Sequence, residues 1–257
     1  MVSGMLALLT LTAGLVAPTG GPDKPAQRYR LDLVIAQEID ATAAGQGVVK
    51  SDVSSSAFVT VTMSDTTGGK LAHVVIDSLL VTANGMLAAQ YSQATADALK
   101  GATLHGYIVD GKLQGAAKPS VEDNIAMSLV MPVMNAMFPG IGPKSANAQA
   151  WTDTSRTDVT NEQMTQNSQA IVAWTVTSRE GSLMSLTGAG TGTVSMEGAE
   201  QQATGQVTTN VTVTTVMGGP SKSAKMVSAQ QLSVLIPALP DPLPVKIDTD
   251  ATLTELP

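Results

Sequence analysis

In residues 28–35, Tyr29, Leu31, Leu33 and Ile35 are apolar and alternate with the polar Arg28, Arg30 and Asp32. That period of two marks a strand with one face on a core and the other in water. The segments FVTVTM (58–63) and LAHVVIDSLLV (71–81) read the same way, and Asp65-Thr66-Thr67-Gly68-Gly69 between them supplies the glycines that a hairpin loop needs. A second hairpin joins ATLHGYIV (102–109) to KLQGAA (112–117) across Asp110-Gly111, the strongest short hairpin signal in the chain. Between the hairpins, Ser92 to Lys100 followed by Gly101 predicts a short helix with an N-cap serine and a C-terminal glycine.

The pattern then changes. Residues 121–138, VEDNIAMSLVMPVMNAMF, are apolar almost all round and predict a helix over 120–138. Ser120 is placed to cap it, with Asp123 as the reciprocal partner of a capping box. Pro132 falls in its interior, where a missing N–H should kink it. Phe138-Pro139-Gly140-Ile141-Gly142-Pro143 stops it. From 150 to 256 the chain returns to strand patterning, a meander of about six strands separated by turn-forming residues.

Two β-rich stretches, 28–116 and 150–256, thus bracket one apolar helix. A single antiparallel sheet of about ten to twelve strands curls rather than stays flat. The expected fold is mainly β: a large curved antiparallel sheet, an incomplete barrel, with one short helix and one apolar plug helix filling the concave face. Residues 23–257 are expected to form one β-rich domain, since barrels and sandwiches of this length are commonly a single unit.

Composition sharpens this. Hydrophobic residues make up 43% of the 257 and aromatics only 3%, so the core is built of Val, Leu, Ile, Ala and Met. Four of the 13 methionines, Met127, Met131, Met134 and Met137, are spaced four, three and three apart, a stripe on one helical face. Flexible thioethers fill irregular gaps and adapt to varied apolar partners. With Leu129 and Phe138 they are the candidate lining for an apolar ligand, and core filling is the plain alternative.

The net charge of −7 and the scattered lysines and arginines would repel a phosphate backbone, which excludes nucleic acid as a partner. Cysteine is absent, and with it disulfides, thiolate metal sites and cysteine nucleophiles. The first 22 residues carry no charge, and the apolar run Met5–Ala17 before a small-residue zone reads as a signal peptide lacking its basic start, or as an N-terminal anchor. The run is shorter than the roughly 20 residues a spanning helix needs.

Little catalytic chemistry is legible. His73 and His105 stand on separate strands among apolar neighbours, with no metal-ligand spacing, and read as structural or surface histidines. No G-x-S-x-G elbow occurs. Gly188-Ala189-Gly190-Thr191-Gly192 has the wrong spacing for a dinucleotide loop and suits a bulge or bend in a curved strand. Asp153 and Asp158 lie on one expected strand and Asp248 and Asp250, which share a face, on another, all reading as solvated carboxylates, and Trp151 and Trp174 suit the rim of a core. No metal, cofactor or catalytic residue is expected.

Strands, an apolar helix, the stop FPGIGP and then AWTDTSR opening a long meander with G-x-G-x-G and MEG motifs resemble uncharacterised exported bacterial β-rich proteins. Their architecture is similar to the half-barrel of periplasmic lipoprotein carriers of the LolA and LppX kind. The resemblance spans about Tyr29 to Leu256 and rests on layout and short motifs, notably Phe138-Pro139 and Trp151 to Thr154. It implies a concave apolar face that binds acyl chains; no carrier residue transfers position by position. The expected function is that of a non-enzymatic exported protein, periplasmic or in the cell envelope, holding an apolar small molecule or lipid between sheet and helix. The alternative is a structural or accessory protein of an envelope or membrane complex, with a protein partner on the same surface.

Overall fold

The computed structural model describes residues 26–121, 124–140, 147–160, 164–198, 202–216, 219–237, 239 and 241–257. The candidate signal or anchor at 1–22 and the Asp123 half of the expected capping box lie outside them.

The first meander comprises β1 (Gln27–Ala41), β2 (Gly47–Thr66), β3 (Gly69–Asn84), β4 (Thr103–Val109) and β5 (Lys112–Pro119), with helix α1 (Gln93–Asp97) between β3 and β4. The second comprises β6 (Ala150–Thr160), β7 (Met164–Glu180), β8 (Leu183–Gly198), β9 (Gln202–Val216), β10 (Ser221–Leu235) and β11 (Leu243–Leu256). All eleven strands form one antiparallel sheet in the order β5-β4-β3-β2-β1-β11-β10-β9-β8-β7-β6. The mainly β fold and the single large sheet, not closed into a barrel, are as the periodicity predicts.

The two meanders meet where β1 pairs with β11, with Leu31 opposite Leu253 on one side and Ala57 on the other. Inward-facing residues alternate along these strands as the sequence pattern requires, and they merge into one continuous apolar core. At the β4–β5 hairpin, Asp110 has φ 50° and Gly111 φ 74°, the paired positive values of a two-residue type I′ turn. The expected N-cap of α1 is present: Ser92 accepts from the Thr95 N–H, and the Thr95 side chain reciprocates.

Three details differ from expectation. β2 begins at Gly47, so its first eleven residues escape the pattern. Their inward positions include Ser51 and Ser55, both buried, and hydroxyls there erase the apolar alternation. The glycines at 188–192 are not a bulge, because β8 and β9 keep an unbroken register from Leu183 to Glu197. They make room instead: a Cβ at Gly188 would come within 2.9 Å of Trp174, and one at Gly190 within 2.9 Å of both Val172 and Thr209.

The expected plug helix is also not continuous. Ile125–Leu129 form a 3-10 turn, and helix α2 covers only Pro132–Met137. Pro132 therefore starts a helix rather than kinking one, since at the first helical position its missing N–H costs nothing. Ser120 does not cap this segment; its Oγ accepts from the Thr103 N–H at 2.9 Å, on β4.

Candidate apolar site beneath the plug segment

The plug segment crosses between the two sheet edges, β5 and β6, and α2 packs against β5, β10 and β11. Asn124 caps its 3-10 turn, accepting from the Ala126 N–H at 2.9 Å, and donates through Nδ2 to the Thr95 carbonyl at 2.8 Å. Ser128 donates to the Ile125 carbonyl at 2.7 Å and meets the Tyr91 hydroxyl at 3.2 Å. At the far end, Ser221 of β10 donates to the Met137 carbonyl at 3.1 Å. Among the described residues, these polar bonds tether the segment and apolar contact seats it.

Of the six predicted lining residues, Met127, Leu129, Met134, Met137 and Phe138 are at most 3% exposed, and Met131 is half-buried at the start of α2. The structure brings all six into one cluster, but the break after Leu129 means the methionines do not form one helical stripe. Met134 ends over Gly106 of β4, where any Cβ would collide with its terminal methyl group and with Leu113. Tyr29 Oη, Ser55 Oγ and Thr209 Oγ1 are buried without a protein hydrogen-bond partner. Burial, and then the charge of Glu255, pushes the Tyr29 phenol far above its ordinary range.

The two free edges approach at the end of the plug. Lys112 of β5 pairs with Pro139 in an isolated bridge, Gly140 N–H donates to the Gly111 carbonyl at 3.1 Å, and Lys112 Nζ reaches both carboxylate oxygens of Asp153 on β6 at 3.0 and 2.9 Å. Asp153 is therefore an ion-pair partner at this seam. Trp151 and Trp174 stack beside it with ring centroids 6.3 Å apart; Trp174 is buried in the core and Trp151 packs partly buried against it. Asp248 and Asp250 are half-exposed and paired with Lys246 and Lys225, as solvated outer-face carboxylates are. The Asp158 side chain lies outside the described residues. Among the described residues no three His, Cys, Asp or Glu side chains cluster into a metal cage.

Sequence reasoning missed one constellation. His73 of β3 and His105 of β4 stand directly opposite each other, with Nδ1 atoms 3.1 Å apart. They are 32 residues apart in the chain, so only the strand register reveals the pair. Burial, and secondly the neighbouring His73, holds His105 below the ordinary histidine value of 6.5. Between that lowered value and 6.5 the unfolded chain binds more protons, so this contribution to stability is complete above pH 6.5 and is lost as the pH falls. Urea midpoints are therefore expected to drop between pH 7 and 5, and to drop less in His105→Gln; equal slopes in the two proteins would contradict the assignment.

These features define an unclosed antiparallel half-barrel with a short apolar plug. No protein-family model matches the chain, and no curated protein is similar to it in sequence. Among solved structures, one described as lipid–protein interactions in lipovitellin aligns over 90% of this chain at 12% identity and TM-score 0.46. This chain spans only 25% of that one. A mutant of Rh. blastica porin aligns over 90% of this chain and 100% of its own at 7% identity and TM-score 0.24. A structure described by the asymmetric conductivity of engineered proteins aligns to the same extent at 8% identity and TM-score 0.24.

Proposed function

We propose that the protein binds an apolar ligand or acyl chain between the concave sheet and the plug segment, and that it carries rather than transforms that ligand. The observation behind this reading is that the concave side of an unclosed sheet is occupied by a short methionine-rich segment seated by apolar contact. Methionine side chains re-pack at low cost, so the space they fill can pass to another apolar occupant. Aliphatic linings with a few polar groups suit such ligands. The layout also resembles the half-barrel of lipoprotein carriers. On this reading residues 1–22 direct or anchor the protein outside the cytoplasm, in the periplasm or cell envelope.

Protein purified gently from its source is expected to carry a lipid or other apolar molecule, visible by native mass spectrometry and by organic extraction. Protein that extracts clean and also fails to load from phosphatidylcholine vesicles would remove the ligand and leave an accessory role in an envelope complex as the better reading.

A further inference from the structure

We propose that His73 and His105 form a two-ligand site for a divalent transition-metal ion, such as copper, nickel or zinc, on the outer face of the sheet. It is independent of the plug, because the side chains facing the core from these strands are the alternate ones, Ala72, Val74 and Leu104.

The geometry carries the argument. The two rings are inclined at 48° with centroids 4.6 Å apart, and their Nδ1 atoms face one another at 3.1 Å. A metal–imidazole bond is about 2.0–2.1 Å, so an ion equidistant from both nitrogens would see them at about 95–100°, between the square-planar and tetrahedral angles. Two imidazole nitrogens at this separation need something positive between their lone pairs: one proton, or one metal ion. Thr103 Oγ1 lies 3.2 Å from His105 Nε2. With the threonine oxygen accepting an Nε2–H, the His105 Nδ1 lone pair is turned toward His73, the outer hydrogen bond typical of a metal-ligating histidine. Without metal, His73 supplies an Nδ1–H and the pair is a hydrogen bond. With metal, His73 carries that proton on Nε2 instead, so no net proton is lost.

Across the register, Thr62 stands opposite His73 and Lys118 opposite His105. Neither adds a carboxylate, so water fills the remaining positions, and the lysine charge keeps the affinity modest. The ion would staple β3 to β4, the strand next to one edge of the sheet.

These are the only two histidines in the chain, which makes the test clean. The untagged full chain is titrated with copper, nickel and zinc chlorides by calorimetry, and the copper complex is read by electron paramagnetic resonance. One saturable ion per chain is expected, tightest for copper in line with the general affinity order, with coupling to two nitrogens. His73→Gln and His105→Gln should each weaken binding by about tenfold or more, and Thr103→Val, which removes a positioning residue, by about tenfold. Binding untouched by either glutamine variant, or no saturable binding at millimolar ion, overturns the proposal. If a variant fails to fold, the wild-type spectrum decides alone: two coupled nitrogens support the site, and one or none refutes it.

Discussion

Replacing Leu31 with aspartate is expected to leave no folded protein, and replacing it with alanine to lower the unfolding free energy by about 2–5 kcal/mol. Leu31 is fully buried on β1, between Ala57 of β2 and Leu253 of β11, at the one pairing that joins the two meanders. Truncation leaves a cavity that a sheet hydrogen-bonded on both sides cannot collapse, and a carboxylate there would have no partner for its charge. Val34 faces outward on the same strand and is 48% exposed, so Val34→Thr is the control, with a change within about 0.5 kcal/mol. Urea unfolding followed by circular dichroism measures all three. A Leu31→Ala protein as stable as its parent would mean that the β1–β11 junction is not where the sheet draws its stability.

The second large effect concerns the plug. The chain has no cysteine, so Met134→Cys introduces a single thiol, at a position that is fully buried. Labelling then requires local opening, and its rate follows the population of the open form. If an apolar ligand takes the place of the plug, adding phosphatidylcholine vesicles or a long-chain fatty acid should raise the labelling rate about tenfold or more, the equivalent of about 1.4 kcal/mol in the opening equilibrium. A Thr191→Cys thiol, on an exposed position of β8, should label quickly with or without lipid. An unchanged or slower rate at position 134 would show a plug that stays packed, and displacement by ligand would have to be abandoned.

Much of this architecture was written in the side-chain alternation. Tyr29 to Ile35, the Asp110-Gly111 turn and the six strands after residue 150 are local signals, each carried by neighbours a few positions apart. Where the signal failed, a specific chemistry replaced it. The first half of β2 hides because Ser51 and Ser55 face inward, and the plug appeared as one helix because apolar periodicity does not register whether a proline begins a helix or interrupts it. All six candidate lining residues were legible as apolar, and their clustering follows from the fold. The seam ion pair of Lys112 with Asp153 and the histidine pair depend on strand register across 41 and 32 residues, which no local pattern encodes.

The central pairing of the first and last described strands has a consequence for how the chain is made. Gln27 on β1 reaches Glu255 on β11 across 228 positions, so the middle of the sheet cannot exist until β11 has left the ribosome. Until then β1 offers a bare row of backbone donors and acceptors, and the second meander acquires the matching row only when β11 emerges. Contacts of such long range are slow to form, because loop closure must be achieved before pairing rewards it. During that interval the nascent chain is exposed to mispairing with its own copies, which a holding chaperone masking the β1 edge would suppress.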